Sequence, residues 1–424
     1  MNIAFDVDGV FTDFEWFMDV YGERFFKKRA TGSKKSTSVA ERFGYEKKYD
    51  KRFYLFYLVW YAKKFPIREN ASETIRRLKE EGHKIYIITA RALTDKDNVL
   101  GRYMQKLLKR WLLDNGVEFD GIYFCNTEES AKDKVSWCRK LQIDVFVEDD
   151  PKNIDELKKE CRIICLSADY NQNLDGVEYA VDFLELYHRR CDGEDNFRKV
   201  PWEKRKNYTK EEQVRYCQEL RKYYQGMPFD KRRYEGYVKM YSGQAKKYYK
   251  IAVKLLRARV FKTGKVSENA IYVCNHTSLL DIPLCYCTLN KVYARALTKR
   301  ELESTGLKGY LRKMGFIFLD RGSEESGKRV RNCMILTLLN GGSVCLFPEG
   351  TRNKERKGLL SFKIGAVYMA QVTGLPIIPL VINQVGKEHH IEILDEFRVA
   401  EEDDLIEKNE ELRQRMLGAL RNQE

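Results

Sequence analysis

Residues 2–8 read Asn-Ile-Ala-Phe-Asp-Val-Asp, a short apolar run that ends in two carboxylates, Asp6 and Asp8. Similar apolar runs follow at residues 84–89, 121–124, 144–147 and 162–166, and charged stretches of helical character separate them. This alternation is typical of a parallel sheet with helices on both faces. We therefore expect residues 1–185 to form a doubly wound α/β domain.

The first crossover of this expected sheet is interrupted by residues 14–65, which are rich in lysine, arginine and aromatic side chains. An insertion of that size after the first strand predicts a small helical cap over the sheet edge. Beyond residue 235, four more β-like runs alternate with helical stretches and predict a second α/β domain over residues 235–424. Those runs are residues 270–274, 316–319, 343–347 and 376–382. Residues 186–234, with mixed charge, are expected to be a basic linker.

The net charge of +14 is concentrated between residues 189 and 262, where 22 lysine and arginine residues oppose nine acidic ones. Within this segment, residues 238–260 have a helical spacing, with lysines on one face and an apolar stripe on another that comprises Tyr241, Ala245, Tyr248, Ala252 and Leu255. This pattern predicts a basic amphipathic helix on an anionic membrane surface. The alternatives are a helix packed on the neighbouring domain and a segment that binds nucleic acid. Because the sequence has no RNA-binding aromatic motif and no zinc finger, no nucleic-acid partner is expected.

The amino-acid composition also predicts where in the cell the protein is located. No run of 18 or more apolar residues occurs, so no transmembrane helix is expected. The chain opens on a strand-like segment instead of a signal peptide. Its eleven cysteines form no Cys-x-x-Cys pair, which argues against zinc and favours reduced thiols. We expect a cytoplasmic protein that binds peripherally to the cytoplasmic face of a membrane.

Two motifs in the second half suggest catalysis. His276 and Asp281 lie five residues apart in Asn-His-Thr-Ser-Leu-Leu-Asp, directly after a predicted strand. This spacing suits a general base and the carboxylate that orients it. Residues 347–352, Phe-Pro-Glu-Gly-Thr-Arg, place a carboxylate, a hydroxyl and a guanidinium beside a glycine. Such a set can hold a phosphate through charge-assisted hydrogen bonds. Most single histidines are unremarkable surface residues, but the two motifs together indicate an enzyme.

With residues 315–321 and 374–379, these motifs resemble the four ordered blocks of the glycerolipid acyltransferase family, across about residues 235–400. The resemblance implies acyl transfer from an acyl thioester to 1-acyl-sn-glycerol-3-phosphate (lysophosphatidate), which gives phosphatidate. The acyl donor, acyl-CoA or acyl carrier protein, stays open.

The same resemblance implies roles for single residues. His276 would deprotonate the free glycerol hydroxyl, and Asp281 would hold the imidazole tautomer. The residues expected to position the acceptor and its phosphate are Arg321, Glu349, Gly350, Thr351 and Arg352.

In the first domain, three further pieces follow Asp6 and Asp8 in order. Thr89 ends an apolar run, Lys134 opens a helical segment, and the run at 145–150 ends in three acids. An open parallel sheet brings the carboxyl ends of its strands together. The set resembles the haloacid dehalogenase-type phosphatase superfamily, and the insert makes it most similar to nucleotidase-like members.

By that resemblance, Asp6 would be the nucleophile that forms an aspartyl-phosphate. Asp8 would protonate the leaving oxygen and then activate water. Thr89 and Lys134 would hold the phosphoryl oxygens, with Lys132 as the alternative lysine.

A Mg²⁺ site is implied as well. Asp149, together with Glu148 or Asp150, would complete it with Asp6 and the backbone carbonyl of Asp8. Two interpretations of this domain stay open: an active phosphatase whose substrate is not readable, and a non-catalytic domain that regulates the acyltransferase.

Overall fold

The structure is a computed structural model. It describes residues 1–33, 35–189, 208–255, 257–262, 264–289, 292–300, 302, 308–355 and 358–421. The chain divides into two compact units, Met1–Glu194 and Asp195–Glu424.

The first unit is built on a six-stranded parallel sheet in the order β3-β2-β1-β4-β5-β6. The strands are β1 (Asn2–Phe5), β2 (Lys84–Thr89), β3 (Gly121–Phe124), β4 (Val145–Glu148), β5 (Arg162–Leu166) and β6 (Glu178–Ala180). β1 pairs with β2 on one side and with β4 on the other, so the chain reverses its direction of travel across the sheet at β1. This reversal opens a crevice at the carboxyl ends of the strands. The predicted doubly wound sheet is confirmed.

Helices lie between the strands and in the cap. They are α1 (Phe14–Phe26), α2 (Val39–Arg42), α3 (Asp50–Lys64), α4 (Ala71–Glu80), α5 (Val99–Asp114), α6 (Ser130–Leu141), α7 (Pro151–Leu157) and α8 (Phe183–Arg189), with a 3₁₀ turn at Lys47–Tyr49. The first three helices and the turn occupy the segment predicted as the cap. Aromatic rings fill the cap: Phe17 packs on Tyr61 with 4.4 Å between ring centroids and on Phe53 with 5.1 Å. Because these rings belong to both α1 and α3, they fix the two helices to each other.

The second unit is built on a seven-stranded sheet in the order β10-β9-β11-β8-β12-β13-β7. The strands are β7 (Ala258–Lys262), β8 (Ile271–Cys274), β9 (Ala294–Lys299), β10 (Ile317–Leu319), β11 (Ser343–Leu346), β12 (Ile377–Val385) and β13 (Glu388–Ile393). Neighbouring strands are parallel except β12 and β13, which form an antiparallel hairpin. The predicted second α/β domain is confirmed.

Both faces of this sheet are covered. The helices are α9 (Lys210–Gln225), α10 (Lys231–Leu255), α11 (Asp281–Leu289), α12 (Lys308–Lys313), α13 (Glu324–Leu339), α14 (Gly365–Thr373) and α15 (Leu405–Arg421). Ile271 and Val273 of β8 pack with α9, α13, α14 and α15, whereas Tyr272 and Cys274 pack with α10 and α11. Because successive side chains of a strand point to opposite faces of the sheet, β8 contributes to the hydrophobic core on both faces.

The predicted linker differs from the structure. Helix α9 begins with a capping box, in which Thr209 and Glu212 each accept a backbone N–H from the other. Its Tyr216, Leu220 and Tyr224 are buried in the core of the second unit. Residues 210–234 therefore belong to that unit, because their aromatic side chains supply part of its core.

The predicted amphipathic helix also differs. α10 ends at Leu255, and the last residues of the predicted helix form the edge strand β7, whose backbone pairs with β13. Tyr241, expected on the lipid-facing stripe, is buried between Tyr286 and Tyr293. At this position the packed alternative is correct. The side chains of Ala245, Tyr248, Ala252 and Leu255, also assigned to the stripe, lie outside the described part. Among the described helices, none has the length and apolar composition of a membrane span.

Candidate active sites

The first site lies where the central strands of the first unit end. Asp6 follows β1 directly, and its backbone N–H donates to the Val147 carbonyl at 3.0 Å, so it continues the sheet. Phe5 pairs with Ile87, which puts Thr89 level with the residue between Asp6 and Asp8. Glu148 ends β4. The sheet thus brings the predicted residues of three strands to one edge.

Lys134 lies inside this group. Its Nζ is 3.3 Å from Asp6 Oδ2 and 2.6 Å from Glu148 Oε2, and its side chain is buried. Burial lowers the pKa of Lys134, but the two carboxylates outweigh burial and raise this pKa above its ordinary value. The alternative, Lys132, is exposed and pairs with Glu129 at 2.9 Å. The geometry therefore favours Lys134 over Lys132 as the lysine of this site.

Three carboxylates could hold a cation. Oxygens of Asp6, Glu148 and Asp149 lie within 4.8 Å of one another, and all three residues are buried. Asp6 Oδ1 has no hydrogen-bond partner among the described residues. Asp150 is not part of the cluster: its carboxylate accepts from Lys152 N at 3.0 Å and caps α7. A set of carboxylates with one unused buried oxygen and a single lysine fits Mg²⁺.

Burial is the largest cause of the altered acidity in this cluster. It raises the pKa of Glu148 to about 7, with Lys134 opposing and Asp6 adding to the shift. Burial, and then the carboxylates of Glu148 and Asp6, raise the pKa of Asp149 well above its ordinary value. Three carboxylates around the single Lys134 ammonium leave negative charge uncompensated in a dry site, which a bound metal cation would neutralise.

Asp8 faces the cap instead of the carboxylate cluster. Its Oδ1 accepts from the Tyr61 hydroxyl at 2.9 Å and lies 3.5 Å from Arg91 Nη2. Burial raises the pKa of Asp8, and Arg91 opposes that rise. The Asp8 carboxyl has a raised pKa and is separate from the three carboxylates that could bind a metal, so it can donate a proton to a leaving group. The predicted metal role of Asp8 uses only its backbone carbonyl, so its side chain has this freedom.

Sequence reasoning missed several partners in this site. Tyr61 comes from α3 and lies 53 residues from Asp8 in the chain, so no local pattern indicates it. Arg91 follows Thr89 by two residues, and its guanidinium lies 4.7 Å from the Tyr61 ring centroid. Asp149 accepts a hydrogen bond from the Tyr170 hydroxyl. Arg91 lies just beyond the carboxyl end of β2, where sites form in open parallel sheets, so its part in this site could have been predicted from the sequence.

Gly9 is required by the same cluster. Its φ is +80°, and an added Cβ would lie 1.8 Å from Asp149 Oδ2. Only glycine adopts this conformation freely and leaves room for the carboxylate.

The second site begins at the end of β8. The side-chain amide of the next residue, Asn275, exchanges two hydrogen bonds with the backbone of Ile382: its Nδ2 donates to the carbonyl at 2.9 Å, and its Oδ1 accepts from the N–H at 2.8 Å. The next residue, His276, has Nδ1 2.9 Å from Asp281 Oδ2. The same oxygen accepts from the backbone N–H groups of Thr277 and Ser278, both at 2.7 Å. The His-x₄-Asp pair that the sequence predicts is therefore formed.

The pairing decides which nitrogen of the imidazole is available. A carboxylate only accepts, so the neutral His276 ring carries its proton on Nδ1. The lone pair of Nε2 is then left for a substrate hydroxyl. The His276 side chain is 15% exposed.

Glu349 connects the two motifs. Its Oε1 accepts from the His276 backbone N–H at 2.7 Å, and its Oε2 accepts from Leu360 N at 2.9 Å. Burial raises the pKa of Glu349, and these two N–H groups oppose the rise. Asn353 N also donates to the His276 carbonyl at 2.6 Å, and the Phe347 ring stacks on the imidazole at 4.2 Å. Glu349, predicted to help position the acceptor, joins its own loop to the backbone of His276, because each of its oxygens accepts one backbone N–H.

The other predicted binding residues lie around the Gly350 turn. Gly350 has φ +67°, and its carbonyl accepts a hydrogen bond from the Arg321 guanidinium. Thr351 and Arg352 are exposed. Arg321 is therefore joined to the loop that also holds His276 in place, and the two cations and the hydroxyl stay available to an anion.

Comparison with known proteins agrees with this division. Residues 1–189 match the family model of the 5′ nucleotidase, deoxy (pyrimidine), cytosolic type C protein. Residues 253–383 match the acyltransferase family model. Each match contains the candidate residues of its unit.

Curated relatives include the 1-acyl-sn-glycerol-3-phosphate acyltransferase of Cocos nucifera, 37% identical over 121 residues, which are 27% of this chain and 38% of that protein. The enzyme of the same description from Haemophilus influenzae is 31% identical over 144 residues, 33% of this chain and 59% of that protein. This chain spans about two fifths to three fifths of the length of these relatives.

Among solved structures, the 1-acyl-sn-glycerophosphate acyltransferase PlsC of Thermotoga maritima is 28% identical, with a TM-score of 0.35, and covers 42% of this chain and 79% of its own. Residues 1–189 are thus similar to the cytosolic type C 5′ nucleotidase family, and residues 253–383 are similar to the acyltransferase family.

Proposed function

We propose that the second unit is a 1-acylglycerol-3-phosphate O-acyltransferase, which transfers an acyl chain from acyl-CoA or acyl carrier protein to lysophosphatidate and yields phosphatidate. The main support is the His276–Asp281 pair at 2.9 Å, held to the Phe-Pro-Glu-Gly-Thr-Arg loop by Glu349. The similarity to curated enzymes of that description supports the same reaction.

The first step is proton removal. His276 Nε2 accepts the proton of the free glycerol hydroxyl while the oxygen attacks the thioester carbonyl. Asp281 stabilises the imidazolium that forms, and its three accepted hydrogen bonds keep it oriented. The proton then passes from Nε2 to the departing thiolate. Base catalysis of this kind contributes about 10²- to 10⁴-fold to the rate.

The second contribution is orientation. Arg321 and Arg352 neutralise the phosphate of lysophosphatidate, and Thr351 donates a hydrogen bond to it. Because Glu349 links this loop to the backbone of His276, a phosphate held there has a fixed distance to the imidazole. Leu279 and Leu280 remain 58% and 39% exposed beside the base and offer an apolar surface to acyl chains.

The first unit is proposed to be a Mg²⁺-dependent phosphatase. Asp6 attacks the phosphorus and forms an aspartyl-phosphate as the bond to the leaving oxygen breaks, while Lys134 and Thr89 bind the phosphoryl oxygens. Asp8 protonates the leaving oxygen and then takes a proton from the water that hydrolyses the aspartyl-phosphate, which frees phosphate and restores Asp6. Asp6, Glu148 and Asp149 would hold Mg²⁺, which would supply positive charge that offsets the negative charge of the phosphoryl group. The support is the unused oxygen of Asp6 beside Lys134.

We further propose that the protein works at an anionic membrane surface on the cytoplasmic side. Its lipid substrate requires access to a bilayer, and the cysteines that the structure describes are free thiols. The basic segment between residues 189 and 262 supplies the matching charge.

A choice of acceptors tests the acyl transfer. The purified chain should acylate lysophosphatidate and fail on the corresponding monoacylglycerol, which lacks the phosphate. Equal rates on both acceptors would contradict the role of Arg321 and Arg352.

Replacing the nucleophile tests the first unit. Asp6→Asn should abolish Mg²⁺-dependent phosphate release from a generic aryl phosphate and leave acyl transfer intact. If the parent chain releases no phosphate from a broad panel and Asp6→Asn slows acyl transfer, the first unit is a regulatory domain.

A further inference from the structure

One side of α3 is exposed and combines apolar with basic residues. Phe56 is 70% exposed, Leu55 57% and Val59 49%, which is unusual for side chains of this size. Arg52 and Lys63 are exposed on the same side. At 100° per residue these five positions fall within an arc of about 100°. The opposite side of α3 packs on the cap, where Tyr61 is buried.

Helix α5 extends this surface. Val99, Leu100 and Tyr103 are 78%, 51% and 43% exposed. Lys63 Nζ of α3 lies 5.7 Å from the centroid of the Tyr103 ring, so the exposed sides of the two helices adjoin. We name the surface formed by Leu55, Phe56, Val59, Val99, Leu100 and Tyr103 the α3–α5 face.

The charge around the α3–α5 face is positive. α3 carries Lys51, Arg52, Lys63 and Lys64 against Asp50, and α5 carries Arg102, Lys106, Lys109 and Arg110 against Asp114. Asp50 is engaged with the cap, since its carboxylate accepts from Ala40 N at 2.7 Å. Asp114 pairs with Arg110 at 3.5 Å, and Asp97, which precedes α5, pairs with Arg102 at 3.0 Å. Both helices therefore present lysines around an apolar centre.

We propose that the α3–α5 face docks the first unit on an anionic lipid membrane. Exposed aromatic and aliphatic side chains enter the boundary between headgroups and acyl chains, and flexible lysine side chains reach the lipid phosphates. The charge complementarity favours this occupant over an apolar protein partner, because each lysine near the surface adds to the attraction. The inference goes beyond the proposed function, whose membrane attachment uses the basic segment of residues 189–262.

The direct test places a fluorescent reporter on the face. In the full chain, Phe56→Trp is mixed with vesicles of equal parts phosphatidylcholine and phosphatidylglycerol, with bromine on the acyl chains. The emission that it adds to the parent's five tryptophans should be quenched. The matched control is Ile406→Trp on α15, which replaces a side chain that is 51% exposed beside Asp404 and Glu407. Its added emission should not be quenched.

Loss of binding is the second measurement. Phe56→Ser combined with Val59→Ser should weaken vesicle partitioning at least about tenfold, since each buried apolar side chain contributes strongly. Ile406→Ser should leave partitioning unchanged, and both variants should acylate detergent-dispersed lysophosphatidate at the parent rate.

Three results would overturn the proposal: unquenched position-56 emission from vesicle-bound protein, unchanged partitioning of the double variant, or no binding of the parent to anionic vesicles. A change of oligomeric mass with unchanged partitioning would assign the face to a protein partner. His276→Ala should abolish acyl transfer without altering quenching, so the two proposals fail separately.

Discussion

Glu349 offers the sharpest perturbation, because its proposed role differs from that of a substrate ligand. Each carboxylate oxygen accepts one backbone N–H, from His276 at 2.7 Å and from Leu360 at 2.9 Å. Glu349→Gln keeps the shape, but its amide nitrogen must face one of these donors. One hydrogen bond to a charged acceptor is lost and a buried N–H is left unpaired.

The expected cost follows from that count. Losing a hydrogen bond to a charged group lowers the free energy of unfolding by about 2–3 kcal/mol. The backbone that positions the His276 imidazole also becomes less constrained. A displacement of about 1 Å in a catalytic group costs on the order of a hundredfold in rate. We therefore expect kcat for acyl transfer to fall about a hundredfold, while KM for lysophosphatidate changes little.

The assay combines urea unfolding with steady-state acyl transfer to lysophosphatidate. Thr351→Ala is the matched control, because Thr351 is exposed two residues away and should affect KM without affecting stability. A Glu349→Gln protein with parent stability, unchanged kcat and a raised KM would refute the structural role and restore the substrate contact.

Three further predictions concern the first unit. Gly9→Ala should abolish phosphate release and destabilise the unit more than Gly82→Ala in urea unfolding. Both glycines have φ near +80°, but a Cβ would meet a carboxylate only at Gly9. Equal destabilisation by the two substitutions would contradict this clash. Without metal, the pKa of Glu148 is raised to about 7 in the folded protein. The free energy of unfolding therefore falls as the pH rises from the ordinary pKa of a glutamate toward about 7, because ionisation of this buried carboxyl is unfavourable in the folded state. Mg²⁺ should therefore raise the thermal midpoint more at pH 8 than at pH 5 in calorimetry, and a pH-independent gain would contradict this. Lys134→Met should cost about 3–5 kcal/mol of unfolding free energy by leaving buried carboxylates unpaired, whereas Lys132→Met should be neutral, and equal effects would contradict the assignment.

Strands β8 and β11 could be predicted because they are buried on both faces. The run expected at 270–274 is β8, Ile271–Cys274, and the run expected at 343–347 is β11, Ser343–Leu346. Strands β6, β7, β9 and β13 were not predicted, whereas the edge strands β3 and β10 were. β13, Glu-His-His-Ile-Glu-Ile, alternates polar residues, and β7 lies where the repeat of apolar residues suggested a helix. Most side chains of β13 are only partly buried, so its sequence need not be apolar.

In the candidate sites, contacts between residues close in the sequence could be predicted, and contacts between distant residues could not. His276 and Asp281 could be paired from the sequence, since five residues of one loop and helix start determine their distance. The role of Glu349 could not, because its partner His276 lies 73 residues away and the contact is to a backbone N–H. The contact between Tyr61 and Asp8 likewise depends on how the cap folds back on the sheet.

The most direct test of the account is His276→Ala, assayed for acyl transfer to lysophosphatidate at saturating acyl thioester. Loss of the base should lower kcat by about 10²- to 10⁴-fold and leave binding of lysophosphatidate and the unfolding midpoint close to those of the parent. Acyl transfer at the parent rate in this variant would contradict the assignment of His276 as the base that activates the lipid hydroxyl.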